Sequence, residues 1–401
     1  MKMAFLSVHS SPLGPMGTRD TGGMSAYLLG LSQALDEMGH SVDIFTGAEL
    51  NGETPQQIGS SAVRLITIKK KRSGASREEL YSNASQLAAQ IGAFIRRSQV
   101  SYDLIFSHYW LSGLAGRTLN RDLKLPHLVM FHTLGRAKNE SCSGEHEPML
   151  RLEEENKLAA GCDMVVTASR LEQEKVCSYF SLPKERVAVI GSGINRAHFT
   201  PLERKRAREK AGVSGYKVML AVGRIEPVKG FELLIEAAAL LPLEDPFRVI
   251  IVGGDSADAA KIAALKELAA SRGVSDRLYF TGRIEHKELP IYYSAADVTV
   301  IPSFYESFSM VALESIACGT PVVSGPVGVI PELAEGEAGE QVVKLVGDRS
   351  PAAWAAAIRK VYLGENRLVP VSIDSCLAPY NWHSVAEKLV QSLKFQQLSG
   401  R

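Results

Sequence analysis

The 401-residue sequence lacks the features of several large protein classes. No apolar run is long enough to span a bilayer, and the N-terminus is too short in its apolar part for a signal peptide. A formal net charge of +1 gives no electrostatic argument for nucleic acid binding. The 5 cysteines form no Cys-x-x-Cys pair, which argues against a disulfide framework and favours reduced thiols in a cytoplasmic protein.

Glycine motifs of two nucleotide-binding classes and the pattern of a metal site are also missing. No Gly-x-Gly-x-x-Gly is present, since Gly191-Ser-Gly193 continues as Ile-Asn-Arg196, and there is no P-loop. A dinucleotide oxidoreductase and a P-loop NTPase therefore lose support. His9, His108 and His132 follow three predicted strands, but no helical histidine spacing or carboxylate pattern accompanies them. We expect neither a metal nor another cofactor.

The chain does contain short apolar runs that alternate with helical patterns along its whole length. This alternation is typical of a doubly wound α/β protein. The predicted strands of the first half are Met3–Val8, Val42–Phe45, Leu104–Ser107, His127–Phe131, Met164–Thr167 and Val187–Ile190. Those of the second half are Val218–Val222, Arg248–Val252, Leu278–Phe280, Val298–Ile301, Pro321–Ser324 and Gln341–Leu345.

The chain length favours two domains over one. A polar segment without a strand pattern, residues 196–215, is predicted to link them. The expected division is an N-terminal Rossmann-like domain of residues 1–195 and a second such domain of residues 216–380. Residues 381–401 are predicted to form a helix that returns to the first domain.

Two glutamates flank the predicted start of a helix in the second half. In Glu306-Ser-Phe-Ser-Met-Val-Ala-Leu-Glu314 the first is a loop carboxylate, and the second lies one to two turns into the helix. A helix N-terminus favours an anion, and carboxylates accept hydrogen bonds from hydroxyls. The pattern suits a ligand with an anionic group and several hydroxyls. An exposed helix face is the alternative.

A second motif, Gly223-Arg224-Ile-Glu-Pro-Val-Lys229-Gly230, follows a predicted strand directly. It places Arg224 and Lys229 at the carboxyl end of the strand, where open parallel sheets bind ligands. Permanent cations there suit a diphosphate. The alternative is a pair of surface charges beside a turn.

A third motif lies near the N-terminus, where a glycine-rich loop ends in Gly22-Gly23 and a helical pattern begins. Glycines let backbone N–H groups approach an anion closely, although a flexible turn is the alternative. Two further segments, His108–Gly113 and Phe131–Asn139, stand at predicted strand ends.

Together these motifs resemble those of the retaining glycosyltransferases of family 4, also called group 1. The resemblance is strongest to the mycothiol-pathway N-acetylglucosaminyltransferases and the sucrose-phosphate synthases. It covers nearly the whole chain through residues 17–27, 108–113, 132–139, 223–230 and 306–321. It implies the GT-B fold, in which two Rossmann-like domains face a central cleft. The Asp-x-Asp motif of the other main glycosyltransferase architecture is absent.

The resemblance implies that a nucleoside diphosphate sugar binds in the cleft. Arg224 and Lys229 would neutralise the diphosphate, Glu314 would hold the ribose hydroxyls, and Glu306 would contact the sugar. The other implied donor-binding residues are Gly23, Arg283, Ile284, Phe308, Ser309 and Met310. The expected catalytic residues are Arg224, Lys229, Glu306 and His132.

The resemblance also implies an acceptor site for a small hydroxylated molecule, free or phosphorylated. The matching positions are Ser25, Arg77, Tyr109, Thr133 and Arg151. Three residues depart from the family pattern. Ser25 stands in place of an Asn in the mycothiol enzymes, and Ser307 and Ser309 replace a Pro and a Gly.

The expected activity is transfer of a hexosyl group with retention, from a donor for which UDP-sugar is favoured, by a monomer or homodimer that needs no metal. One alternative is a membrane-surface transferase with a lipid-linked acceptor, which would use the basic stretches 69–72 and 204–208. The other is a non-catalytic scaffold that binds a nucleotide sugar.

Overall fold

The protein folds into two α/β domains, each with a mainly parallel sheet, in a computed structural model. The model describes residues 1–14, 22–48, 54–59, 61–69, 77–141, 146–242, 244, 246–364 and 368–399. The predicted doubly wound class with two sheets is confirmed. The proposed domain boundaries stay predictions.

The first sheet has 8 strands in the order β3-β4-β2-β1-β5-β6-β7-β8. Its strands are β1 Lys2–Ser7, β2 Ser41–Ala48, β3 Thr54–Gln57, β4 Arg64–Lys69, β5 Leu104–His108, β6 His127–Met130, β7 Met164–Thr167 and β8 Val187–Val189. The pairing is parallel except between β3 and β4. Strand β1 is central and pairs with both β2 and β5.

The second sheet has 6 strands in the order β11-β10-β9-β12-β13-β14, all parallel. Its strands are β9 Lys217–Val222, β10 Phe247–Val252, β11 Leu278–Gly282, β12 Val298–Ile301, β13 Val322–Ser324 and β14 Val343–Leu345. Each predicted strand of both halves overlaps an observed one.

Helices cover the sheets. They are α1 Gly23–Glu37, α2 Arg77–Ser98, α3 Trp110–Leu123, α4 Gly135–Ser141, α5 Met149–Gly161, α6 Arg170–Phe180, α7 Arg204–Ala211, α8 Phe231–Ala239, α9 Ala259–Ser271, α10 Leu289–Ala295, α11 Met310–Ala317, α12 Ile330–Leu333, α13 Gly336–Val342, α14 Pro351–Leu363, α15 Pro370–Leu377 and α16 Trp382–Ser399. Among the described residues, none of these helices combines the length and apolar character that crossing a bilayer requires.

Local sequence explains why α1 and α6 form. In α1 the residues Tyr27, Leu28, Leu31 and Leu35 recur at helical spacing and are buried on one face. Helix α6 is capped by Ser169, the residue before it, whose hydroxyl accepts a hydrogen bond from the backbone N–H of Glu172.

Strands β3 and β4 were not predicted from the sequence. The edge strand β3 contains Thr-Pro-Gln-Gln and has no apolar alternation, so only its antiparallel pairing with β4 defines it. Strand β4 is buried on both faces, because Leu65 packs in the same cluster as α1 while Ile66 and Ile68 pack in the cluster that contains residues of α2.

The predicted linker contains helix α7, which is tied to the second sheet by ion pairs. Arg204 and Arg208 both bind the carboxylate of Asp297, the latter at 2.5 Å, and the side chain of Asp297 is only 6% exposed. Asp297 also accepts a hydrogen bond from the backbone N–H of Val218 at the start of β9. Two cations of this basic stretch are therefore engaged within the protein.

The last helix, α16, packs against α1 through a tryptophan that fits between two glycines. A Cβ atom at Gly30 would lie 2.1 Å from Cε2 of Trp382, and one at Gly193 would lie 2.5 Å from its Cδ2. Such distances are too short for any side chain. The absence of a Cβ at both positions is therefore required for this packing.

We expect Gly30→Ala to lower the free energy of unfolding by about 2 kcal/mol, because the new methyl group overpacks the contact with Trp382. Urea denaturation measures this. Gly161→Ala is the matched control, since a Cβ there meets nothing within 4 Å. In a Trp382→Ala background Gly30→Ala should have almost no effect. An equal loss in both backgrounds would contradict this explanation.

Candidate active site

The loops after β1, β5, β9 and β12 carry predicted motifs and lie on either side of the points where the strand order reverses, whereas the predicted residues after β6 and β11 lie further from these points. These points are between β1 and β5 in the first sheet and between β9 and β12 in the second. Ligands bind at such points in open parallel sheets. Loops from the two sheets also contact each other, because Tyr305 after β12 hydrogen-bonds to Leu134 after β6.

The N-termini of α1 and α11 approach each other across the cleft. A Cβ atom added to Gly23 would lie 3.8 Å from Cγ of Met310. Neither helix has an acidic residue in its first turn or a side-chain cap among the described residues. Their first backbone N–H groups and the positive ends of their dipoles are thus suited to an anion.

Lys229 and Glu306 form an ion pair beside this cleft. The Nζ of Lys229 lies 2.7 Å from Oε1 of Glu306, which also accepts a hydrogen bond from Ser303 at 2.7 Å. Both side chains of the pair are mostly buried, at 19% and 15% exposure. Arg224 is more open, and its guanidinium lies 2.8 Å from Glu226. The structure thus brings a lysine and a carboxylate of separate sequence motifs into contact.

Ser309, which precedes α11, has a backbone φ of +90° and is buried. Non-glycine residues adopt this region at a cost in free energy, and such residues cluster at functional sites. The loop is fixed by the carbonyl of Phe308, which accepts a hydrogen bond from the N–H of Val329 at 2.8 Å. The serine therefore stands in a conformation that favours glycine, the residue it replaces in the family pattern.

The carboxylate of Glu314 is held from two sides. His286 contacts Oε1 at 2.9 Å, and the hydroxyl of Tyr293 donates to Oε2 at 2.8 Å. Burial opposes the charged form of His286, but the hydrogen bond and charge of Glu314 raise the pKa of His286 above its ordinary value. The sequence did not single out His286 or Tyr293. The position of His286 in the sequence, shortly after the predicted donor-binding residues Arg283 and Ile284, was the one signal that could have identified it.

Arg283 and Ile284 follow β11, where Arg283 is exposed and Ile284 packs against the main core cluster. The neighbouring Gly253, which no sequence motif indicated, has a φ of +141°, and its N–H donates a hydrogen bond to the carbonyl of Gly282 at 2.9 Å. A Cβ at Gly253 would lie 1.8 Å from the carbonyl oxygen of Gly223. The glycine thus lets the loops after three strands meet closely.

His132 forms a buried pair with His108. Their Nε2 and Nδ1 atoms are 3.0 Å apart, and the ring of Tyr27 packs edge-on against His132. Burial, with a smaller contribution from the charge of His9, lowers the pKa of His132 to about 3. The backbone of His132 has a φ of +59°. The side chain of His132 is thus a neutral hydrogen-bonding group, not a charged one. Its backbone is in a strained conformation.

Tyr109, Thr133 and Arg151, predicted to bind the acceptor, converge. The guanidinium of Arg151 donates to the hydroxyl of Tyr109 at 3.2 Å and to Oγ1 of Thr133 at 2.9 Å. Tyr109 has a φ of +74°, which turns the chain at the end of β5. Two hydroxyls and a guanidinium make a site that suits a phosphate.

The charge of Arg151 is balanced by two carboxylates in this structure. Glu147 and Glu155 lie 3.0 Å and 2.7 Å from it. Burial opposes the charge, but the neighbouring acidic groups raise the pKa of Arg151, while burial raises the pKa of Glu155. Glu155 also accepts a hydrogen bond from the N–H of Gly135 at 2.9 Å, so this group is held rigidly.

The other predicted acceptor residues are less fully defined. The hydroxyl of Ser25 is buried in the first turn of α1 and has no hydrogen-bond partner among the described residues. Arg77 begins α2, but its side chain lies outside the described part of the chain. Residues 17–21 of the N-terminal motif and residues 70–72 of the first basic stretch also lie outside it.

Among the described residues, no group of three or more His, Cys, Asp and Glu is arranged to hold a metal ion. His9, His108 and His132 lie close together, and the ring of His9 is tilted against that of Tyr109 with the ring centroids 4.5 Å apart. The groups that the structure places near the cleft are helix N-termini, cationic side chains and hydroxyls.

Models of two sequence families match the chain. The family described as Glycosyltransferase Family 4 matches residues 21–198, and the family described as Glycosyl transferases group 1 matches residues 203–369. The second match covers every strand of the second sheet, and the first covers the strands of the first sheet other than β1.

Curated relatives match the chain over nearly its full length. A D-inositol 3-phosphate glycosyltransferase of Corynebacterium glutamicum is 33% identical over 97% of this chain and 95% of the relative. Another of that name from Geodermatophilus obscurus is 35% identical over 97% of this chain and 88% of the relative.

Solved structures show the same architecture. Sucrose-phosphate synthase from Thermosynechococcus elongatus matches with a TM-score of 0.86 and 29% identity over 100% of both chains. Anabaena HepE in complex with UDP and glucose matches with a TM-score of 0.74 and 19% identity, over 98% of this chain and 99% of the other, and so shows the fold alone. With these full-length relatives and its two facing α/β domains, the chain belongs to the GT-B glycosyltransferases of family 4.

Proposed function

We propose that this glycosyltransferase transfers a hexosyl group, with retention, from a nucleoside diphosphate sugar to a hydroxyl of a small phosphorylated sugar or polyol. UDP-sugar is the favoured donor. The names of the relatives, D-inositol 3-phosphate glycosyltransferase and sucrose-phosphate synthase, support a phosphorylated acceptor. The HepE complex, which contains UDP, agrees with the choice of base but shows the fold alone.

One observation carries the proposal. The N-termini of α1 and α11 face each other, with Gly23 and Met310 in near contact, and Lys229 lies beside them on Glu306. Two helix N-termini and a lysine favour a group with several negative charges. Glu306 and Glu314 supply carboxylates that accept hydrogen bonds from hydroxyl groups on either side of this anionic group. A nucleoside diphosphate sugar has such an order, with sugar hydroxyls, a diphosphate and ribose hydroxyls in succession.

The proposed catalysis is mainly electrostatic. Arg224, Lys229 and the N-terminus of α11 stabilise the charge that develops on the diphosphate as its bond to the sugar breaks. The acceptor hydroxyl attacks the anomeric carbon from the same face and passes its proton to the departing phosphate. His132, a neutral group, orients the reacting sugar by hydrogen bonding. Permanent cations at the diphosphate make a metal unnecessary in this proposal.

The acceptor phosphate is proposed to bind Tyr109, Thr133 and Arg151, with Arg77 and Ser25 nearby. Because Glu147 and Glu155 already balance Arg151, we infer that the phosphate replaces Glu147. Glu147 is the more exposed of the two, at 18% compared with 1%. It is also held by Lys138, which can then pair with the phosphate.

Two observations weigh against the alternatives. A lipid-linked acceptor was inferred from basic stretches, but Arg204 and Arg208 of the second stretch bind Asp297. The departures from the family pattern at Ser25 and Ser309 favour a non-catalytic scaffold, but Ser309 keeps a glycine-like backbone. We also infer a reducing, cytoplasmic compartment, which agrees with the free thiols of Cys162, Cys177, Cys318 and Cys376.

The direct test is a transfer assay with UDP-, GDP- and ADP-sugars against inositol 3-phosphate, fructose 6-phosphate and their unphosphorylated forms. Transfer from a UDP-sugar to a phosphorylated acceptor, with the donor's anomeric configuration kept in the product, supports the proposal. Nucleotide binding without transfer to any acceptor would favour the scaffold.

We expect Lys229→Ala to lower kcat about 100-fold, since it removes a cation from the charge that forms in the transition state. Steady-state kinetics and thermal unfolding measure the effects on rate and fold separately. Lys344→Ala on β14, an exposed lysine, is the control and should match wild type. Near-normal turnover by the Lys229 variant would refute the diphosphate assignment.

We expect Arg151→Lys to raise KM for a phosphorylated acceptor about tenfold and to leave KM for the donor unchanged. The variant keeps the positive charge but loses the planar guanidinium group, which can donate hydrogen bonds to two phosphate oxygens at once. Arg117→Lys is the control, because Arg117 of α3 forms an ion pair at 2.9 Å with Glu154 of α5, the helix that also carries Arg151. Equal effects of both variants would show that Arg151 serves only the fold.

The pair of His286 and Glu314 predicts a pH dependence of stability. Because the pKa of His286 is raised above 6.5, its contribution is complete below pH 6.5 and is lost as pH rises through the folded-state pKa. His286→Gln should therefore lower the free energy of unfolding by about 1 kcal/mol at pH 5.5 and by less at pH 8.5. Urea denaturation at both values tests this.

The control for that experiment is His383→Gln, since His383 is an exposed histidine of α16, 3.4 Å from Glu387. It should change the free energy of unfolding by less than about 0.5 kcal/mol at either pH. A larger effect of His286→Gln at pH 8.5 than at pH 5.5 would show that the charged pair does not stabilise the fold.

A further inference from the structure

Tyr305, directly before Glu306, projects from the second domain into the first. Its ring is 6% exposed and packs in the cluster that contains Leu134, Leu158 and Val176. Phe304, the residue before it, stays with its own domain, because its N–H donates to the carbonyl of Val228 at 2.8 Å and its ring lies 4.8 Å from the guanidinium of Arg349. The loop thus places two adjacent side chains in different domains.

The hydroxyl of Tyr305 holds the acceptor loop. It accepts a hydrogen bond from the backbone N–H of Leu134 at 3.1 Å. Leu134 immediately follows Thr133, and the next N–H, that of Gly135, is held by Glu155. The peptide between the proposed phosphate contact and α4 is therefore fixed by one residue from each domain.

A second interdomain hydrogen bond lies on the other side of Glu306. The hydroxyl of Ser169, which caps α6, donates to the carbonyl of Ser307 at 3.0 Å. Glu172 of the same helix is buried and lies 3.5 Å from the hydroxyl of Tyr305. Both neighbours of Glu306 are thus bound to the first domain, while its carboxylate is bound to Lys229 of the second.

We propose that Tyr305 is a positioning residue that sets the acceptor loop, residues 132–134, against the donor loop, residues 305–309, when the domains are closed. This inference rests on the proposed function. The proposed contacts of the donor with Arg224, Lys229 and Glu314 do not depend on the hydroxyl of Tyr305. Its loss should therefore affect the acceptor and the reaction step while leaving donor binding intact.

The test is Tyr305→Phe, which keeps the ring packing and leaves the N–H of Leu134 without its acceptor. We expect kcat to fall about tenfold and KM for the acceptor to rise several-fold. The affinity for UDP, measured by calorimetry, should stay within about twofold of wild type. A merely structural role would lower the active fraction and leave both KM values unchanged.

Tyr102→Phe is the matched control. Tyr102 is also buried, and its hydroxyl donates to Asp43 at 2.5 Å within the first domain. This variant should leave kcat and both KM values at wild-type levels. Wild-type kinetics of Tyr305→Phe, or equal losses in both variants, would overturn the positioning role while leaving the proposed function standing. A wild-type chain that transfers no sugar would overturn both.

Discussion

The ion pair between Lys229 and Glu306 is the contact around which the cleft is built. Its two residues come from loops that follow β9 and β12, the strands at the reversal point of the second sheet. The pair fixes the loop that leads to Ser309 and α11. Lys229 balances the charge of the mostly buried carboxylate of Glu306 and supplies a cation to the cleft in which the N-terminus of α11 favours an anion.

The same loop joins the domains. Tyr305 and Ser307 bind the first domain on either side of Glu306, and Arg170 of α6 adds ion pairs to Glu332 and Glu335. The groups proposed to bind the donor and the acceptor are therefore placed relative to each other by side-chain hydrogen bonds and ion pairs of a few residues. Trp382 also packs against Gly30 of α1, and so connects the last helix to the helix whose N-terminus borders the cleft.

Sequence patterns predicted the strands of both sheets other than β3 and β4, because each predicted strand is a short apolar run bounded by turn residues. They did not predict the polar strand β3, its neighbour β4, or the contacts that depend on tertiary packing. His286 and Tyr293 lie 28 and 21 residues from Glu314 in sequence and meet it only in the fold. The left-handed backbone of Tyr109, His132 and Ser309 likewise follows from the surroundings of each residue, not from its type.

The central claim is that the cleft between α1 and α11 binds a diphosphate. Calorimetric titration with uridine, UMP and UDP at constant ionic strength tests it most directly. We expect the affinity to rise with each phosphate, and UDP to bind at least about 100-fold more tightly than uridine. Equal affinities of uridine and UDP would contradict it, because the helix N-termini and Lys229 would then contribute nothing to binding.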